Sequence, residues 1–240
     1  MEQSTIKRIW SCLVSGDSIS RGVVFDEGKG RYSVLEDSYV SLVQRRTRNT
    51  VRNVSRFGNT LLRGTGRLAR QIEEERPDIV LLEYGGNDCD FRWPEIAAHP
   101  ENPHEPQTDL AVFERTLEET IGILKGKGIV PVLMTLPPLD ADKFLKWVSR
   151  NDAGAEGSIL RWLGSVTRIY WWQERYSSSI TKVATRTRTR SIDIRGAFLG
   201  HADFPALICR DGIHPNAEGH RVIASAVLDY IAGDYPLMLA

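Results

Sequence analysis

The sequence predicts a parallel α/β fold, and three observations point to it. Short apolar runs suited to buried strands alternate along the chain with stretches whose apolar residues recur every three or four positions, the helical spacing. Glycine-bearing turns close the first three strands, which brings residues distant in sequence to one sheet edge. The chain has 240 residues, 41% apolar and 26% charged, enough for one substantial core and ordinary for a globular protein. One domain over residues 1–240 is expected, without internal repeats, low-complexity tracts or linkers.

Ile9-Trp10-Ser11-Cys12-Leu13-Val14 reads as the first strand, and Gly16 is expected to break it and let the backbone turn, with Ser18 on the turn. Arg21 to Tyr32 reads as a polar, glycine-bearing loop. Ser38 to Gln44 carries a helical face, and Arg45, Arg46, Arg48 and Arg52 read as a solvated helix end where cations suit the dipole. Val51–Val54 is the second strand, Thr60–Glu75 a helix stopped by Pro77, and Ile79–Tyr84 the third strand, ending in Gly85-Gly86-Asn87-Asp88. Residues 89–108, rich in proline and polar groups, read as a long loop. Thr108 or Asp109 caps a helix that runs to about Lys127, with Gly128 as its stop.

Ile129–Thr135 is the fourth strand, with Pro131 near its start. Pro137-Pro138 opens a second long connection, and the apolar spacing from Ile159 to Ile180 predicts one amphipathic helix. Four of the six tryptophans fall between residues 147 and 172, most of them expected to pack in a core, with Trp147 the candidate pocket wall. Arg186, Arg188 and Arg190 alternate with threonines, a period of two that predicts an extended segment leading into Ser191–Ile194. A polar loop then reaches Asp211-Gly212-Ile213-His214-Pro215, and a last helix covers about Ala217–Ala232.

Composition narrows the partners. Lys+Arg and Asp+Glu balance at 31 each, so nothing favours nucleic acid or an anionic membrane. The three widely spaced cysteines read neither as a disulfide framework nor as a zinc site. The first residues lack a charged-then-apolar leader, and no apolar run is long enough to span a bilayer, so a cytoplasmic, membrane-free location is expected.

Chemistry gathers at the strand ends. A serine at Ser18 is a poor nucleophile alone and needs a base and an oxyanion site. His214 is the candidate base, with Asp211 near enough to accept its Nδ1 proton and leave Nε2 for Ser18. The backbone N–H groups of Ser18 and Gly58 and the side-chain amide of Asn87 are candidate donors to a tetrahedral oxyanion. Each has a plainer reading: His214 as a surface residue or helix cap, Gly58 as a turn glycine, Asn87 as a turn-former.

Taken together, Gly16-Asp17-Ser18, Gly58, Gly85-Gly86-Asn87-Asp88 and Asp211-Gly212-Ile213-His214-Pro215 resemble, in order and spacing, the four sequence blocks of the SGNH hydrolase superfamily, the GDSL esterases and lipases. The resemblance covers the framework of nearly the whole chain, with residues 137–180 longer than a minimal member needs, as a helical insertion near the active site. It implies a three-layer α/β/α sandwich, flavodoxin-like, with five parallel strands. It also implies Ser18 as nucleophile, His214 as base, Asp211 as its orienting carboxylate, and Ser18, Gly58 and Asn87 as the oxyanion hole, with no metal or organic cofactor.

The expected activity is hydrolysis of a small ester, short-chain acyl or carbohydrate, through an acyl-enzyme. Rival readings are an acyltransferase on the same triad, a non-catalytic binding protein that keeps the fold, and a metal enzyme using His99, His104, Glu101 and Glu105. The loops 89–108 and 137–158 are candidate lids, with Trp93 and Trp147 as substrate contacts.

Overall fold

A computed structural model describes residues 9–234, so the N-terminal stretch read as leaderless lies outside the described residues. Five parallel strands form the central sheet: β1 (Ser11–Gly16), β4 (Thr50–Asn53), β5 (Ile79–Glu83), β6 (Val130–Met134) and β7 (Arg190–Ile192). Their order is β4-β1-β5-β6-β7. The chain therefore steps outward from β1 in one direction and then reverses, which leaves a crevice between β1 and β5 at their carboxyl ends, the usual ligand position in such sheets.

The strands are apolar runs because both sheet faces are covered. Leu13, Val80, Leu82 and Leu133 face a core shared with α3 (Leu61–Glu75), α5 (Leu110–Gly126) and α8 (Thr167–Thr187). Val14, Ile79, Leu81, Val132 and Met134 face the opposite core, with α2 (Tyr39–Arg46), α9 (Ile194–Leu199) and α10 (Ala217–Asp234). The period of two along each strand thus sorts one continuous run into two cores, giving the three-layer sandwich. Asp109, of the two candidates Thr108 and Asp109, caps α5 through its side chain, and Ser38 caps α2 in the same way.

Several connections differ from the sequence reading. Residues 21–32 are not a loop: β2 (Val23–Asp26) and β3 (Arg31–Val34) pair as an antiparallel hairpin after the one-turn helix α1 (Ser18–Arg21). The segment 89–108 holds α4 (Trp93–Ala98), which accepts its proline because Pro94 sits in the first turn, where an N–H has no helical partner. The helix expected over 159–180 is two, α7 (Ala153–Leu163) and α8, parted at Gly164 (φ +77°) and preceded by α6 (Ala141–Val148). The Arg/Thr alternation is split: Arg186 and Thr187 end α8, Arg188 at φ +50° caps it, and only Arg190 lies in the strand, as the first residue of β7. The stretch before Asp211 contains α9 and a 3-10 turn over Phe204–Leu207.

Gly16 also differs in its reason. It lies within β1, opposite Glu83, and a Cβ there would meet the Glu83 carbonyl oxygen at 2.8 Å and Glu83 Oε2 at 2.9 Å. Space, not a reversal of the chain, requires the glycine. Two helical glycines of α3 separate the same effects. A Cβ on Gly64 would overlap the hydroxyl of Tyr84, which is buried, whereas nothing lies within 4 Å of one on Gly66. Gly64→Ala is expected to destabilise by about 1–3 kcal/mol through overpacking. Gly66→Ala is expected to stabilise by about 0.5–1 kcal/mol through helix propensity. Urea unfolding of both variants checks the pair; equal effects would mean that Tyr84 yields freely.

Candidate active site

The β1/β5 crevice collects most of the residues singled out above. Asp17 directly follows β1, and its Oδ1 accepts the N–H of Ile19, which caps α1 and sets Ser18 as the first helical residue. Asp211 and His214 arrive from the far end of the chain, in the loop ahead of α10. That loop is pinned by Cys209 N–H to the His214 carbonyl oxygen (2.8 Å) and by the Asp140 N–H, which donates to the Gly212 carbonyl oxygen (2.8 Å). Gly212 is doubly required: φ is +80°, and a Cβ would overlap the Phe144 backbone nitrogen and meet the Asp140 carbonyl oxygen at 2.7 Å.

His214 Nδ1 donates to Asp211 Oδ2 at 2.6 Å, which places the ring proton on that nitrogen. Nε2 then accepts from Ser18 Oγ at 2.9 Å. Asp211 Oδ1 takes the N–H groups of Ile213 and His214, both at 3.1 Å. All three side chains are buried. Burial alone would raise the Asp211 carboxyl, but the hydrogen bond and charge of His214, with the two N–H groups, hold it below its ordinary value.

Gly58 and Asn87 line the same cavity as Ser18 and His214. Gly58 takes φ +66° with open space where a Cβ would sit, so its backbone conformation calls for glycine. Asn87 Nδ2 donates to Asp17 Oδ2 at 3.0 Å, which orients the amide. Its neighbour Asp88 holds the framework together: both carboxylate oxygens accept the N–H of Leu61 at 3.1 Å, where Thr60 offers no side-chain cap to α3. Burial raises Asp88 to about 6.

Trp93 lines the cavity and donates from Nε1 to Asp90 Oδ1 at 2.7 Å. Trp147 does not line it, a correction to the sequence reading. It packs one layer back, with ring centroids 4.9 Å from Phe25 and 6.1 Å from Tyr32. The residues that do flank the imidazole are Tyr32 (5.1 Å, edge-on) and Phe57 (6.1 Å, stacked), neither singled out in the sequence. Two short runs parted by Glu27-Gly28-Lys29-Gly30 were the available hairpin signal for Tyr32. The His99, Glu101, His104 and Glu105 cluster does not converge: His104 Nε2 contacts the His99 carbonyl oxygen at 2.9 Å, and no metal-holding group of His, Cys, Asp or Glu occurs among the described residues. No described helix is long and apolar enough to cross a membrane.

Residues 14–222 match the GDSL-like lipase/acylhydrolase family. The chain belongs to this family. An arylesterase of Vibrio mimicus is 38% identical over 128 residues, 52% of this chain and 55% of the relative. Esterase TesA of Pseudomonas aeruginosa is 37% identical over 81 residues, 32% of this chain and 36% of the relative. The chain thus spans about half and about a third of the lengths of these two relatives. Among solved structures, a lipase/acylhydrolase of Enterococcus faecalis superposes with TM-score 0.68 at 19% identity, covering 96% of this chain and 97% of that one. A catalytic mutant of the acetylxylan esterase Axe2 of Geobacillus stearothermophilus superposes with TM-score 0.62 at 20% identity, covering 92% and 94%. At these identities the two structures share the fold with this chain.

Beneath the Ser18 turn lies a second carboxyl group, unforeseen in the sequence. Glu83 is fully buried; its Oε2 accepts from Ser20 Oγ (2.8 Å), Ser20 N–H (3.2 Å) and Asp17 N–H (3.4 Å), while Oε1 has no donor. Burial first, and then the Asp17 charge, raise Glu83 well above its ordinary value of 4.5. A carboxyl raised in this way contributes full stability below its unfolded value and loses it as pH rises toward the folded one. The share of the unfolding free energy that Glu83 contributes is therefore expected to fall as pH climbs above its ordinary value of 4.5, so stability should drop less steeply with rising pH in Glu83→Gln, neutral throughout, than in wild type. Denaturant titrations at a series of rising pH values check it, and parallel slopes would mean that Glu83 is not the group responsible.

Proposed function

We propose that this GDSL-family protein is a serine esterase acting on small carboxylic esters. The observation that carries the reading is the buried line Ser18–His214–Asp211, with contacts of 2.9 and 2.6 Å, on the wall of a cavity at the sheet's carboxyl edge. In this reading Ser18 Oγ attacks the ester carbonyl carbon as its proton passes to His214 Nε2. The tetrahedral oxyanion is held by the N–H groups of Ser18 and Gly58 and by the Asn87 amide. Collapse expels the alcohol with the proton from His214 and leaves an acyl-Ser18. Water, deprotonated by His214, then releases the acid and restores Ser18. Asp211, held ionised at neutral pH by the His214 ring and the two N–H groups, keeps the ring proton on Nδ1 and stabilises the imidazolium. The chemistry as written uses no metal or organic cofactor.

The names of the relatives, arylesterase, esterase and acetylxylan esterase, all fall within carboxylic ester hydrolysis and support the class. Short-chain acyl and carbohydrate esters are the substrate classes to test first. A second reading, an acyltransferase on the same residues, is favoured by the apolar cavity wall, which would keep water from the acyl-enzyme. Added alcohols that raise total turnover and capture the acyl group would select it over hydrolysis.

Hydrolysis of 4-nitrophenyl acetate is expected to fall by roughly 10⁴–10⁶-fold in Ser18→Ala. Asn87→Ala should lower kcat by about 10²–10³-fold with KM little changed, the mark of a donor used mainly in the transition state. Steady-state kinetics of the purified variants decide. A Ser18→Ala protein as active as wild type ends the proposal.

A further inference from the structure

The two sheet-face cores leave a third apolar cluster that packs on neither face of the sheet. It is built from the segment after β5, the segment after β6 and the α7–α8 junction, and its members include Phe91, Trp93, Phe144, Trp162, Leu163 and Ile169. These same side chains line the cavity that holds Ser18 and His214. A hydrophobic cluster ordinarily closes on itself, because interiors pack without voids larger than a water molecule. Here it walls one side of an open cavity of about 440 Å³ whose other side carries Ser18 and His214.

Most polar groups on the chamber wall away from Ser18 are already engaged. Asp90 accepts from Trp93 Nε1 at 2.7 Å. Gln173 accepts from Arg195 Nη2 at 2.7 Å and donates to the Pro137 carbonyl oxygen at 3.1 Å. His104 Nε2 contacts the His99 carbonyl oxygen at 2.9 Å, and its ring packs edge-on against Trp162. The cationic side chain in the lining, Arg168, is exposed and stands 5.7 Å over the ring of Trp171, which is itself exposed. A sugar ring with several hydroxyls would find few free partners along this wall, whereas an alkyl or aryl group loses nothing there.

The size argues the same way. At roughly 30 Å³ per water the whole cavity, catalytic end included, has the volume of about fifteen waters, room for an ester whose apolar group has on the order of ten non-hydrogen atoms. An acetyl group would leave most of it unfilled.

We propose that this aromatic chamber is the binding site for a medium-sized apolar half of the ester, an alkyl chain of about six to ten carbons or a one- or two-ring aryl group. The proposal rests on the esterase reading above and sharpens it, turning from carbohydrate esters toward hydrophobic ones. The apolar group enters on the acyl or on the alcohol side, and the two are told apart by experiment.

Two substrate series test it on the wild-type protein: 4-nitrophenyl acetate, butanoate, hexanoate and octanoate, and the ethyl, phenyl and 1-naphthyl esters of acetic acid. One series is expected to rise at least tenfold in kcat/KM from its smallest to its best member, since each buried methylene is worth about fourfold. The rising series names the side. Leu163→Trp, which narrows the chamber, is expected to bring that ratio back toward one. Calorimetric binding to Ser18→Ala separates the two proposals, because it needs no turnover. There 1-naphthyl acetate or 4-nitrophenyl octanoate should bind at least tenfold tighter than ethyl acetate. A flat or falling profile in both series, or equal binding of small and large esters, overturns the chamber proposal. Undiminished hydrolysis by Ser18→Ala would instead strike the esterase mechanism and leave the binding ratio to judge the chamber.

Discussion

The site is organised around two carboxyl groups buried side by side at the switch point of the sheet. Asp17 and Glu83 lie on neighbouring segments, and the absence of a side chain at Gly16 lets Glu83 lie over the first strand. Around them the donors converge: Ser20 serves Glu83, Ile19 serves Asp17, and Asn87 reaches across to Asp17. Tyr39 extends the network outward through Ser20 at 2.6 Å, tying α2 to the same point. Two full negative charges in so small a dry volume would repel strongly, and burial raises both pKa values accordingly. The Ser18 turn and the oriented Asn87 amide are thus by-products of how one buried acidic pair is satisfied.

The framework was legible in the sequence because it rests on local signals. Buried strands need apolar runs, and Ile79–Glu83 and Val130–Met134 carry them. Helix starts need side-chain acceptors, and Ser38 and Asp109 supply them. The residues at the strand ends were legible for the same reason, since glycines mark where the chain must turn or make room. The misread segments carry signals that tertiary context overrides. Thr185 and Thr187 favour extended backbone by type, yet their hydroxyls bond to the carbonyls of Thr181 and Val183 one turn back, so the helix keeps them. Pro94 reads as a loop residue, yet suits the first turn of α4.

The environment of the site was less legible, because it is made by contacts far apart in the chain. Glu83 is one acidic letter at the end of an apolar run, and nothing local says that it is buried. Tyr32 and Phe57 reach His214 from different connections, and the wall of the chamber draws on three separate segments. Trp147 illustrates the converse: a large aromatic in the expected region that packs behind Tyr32 and Phe25 and not on the cavity wall.

One contact joins the two halves of the functional region mechanically. Gly212 sits between Asp211 and His214, and the start of α6 lies so close that not even a methyl group fits between them. The same helix carries Phe144 into the chamber wall. A change in the position of α6 is therefore transmitted to the loop that holds the imidazole. Remodelling the chamber for a bulkier guest, whether by evolution or by an engineer grafting a different helical segment, has to preserve this hinge point. The freedom to diversify the chamber wall is accordingly greatest in α7 and α8, which line it without a direct contact to Gly212.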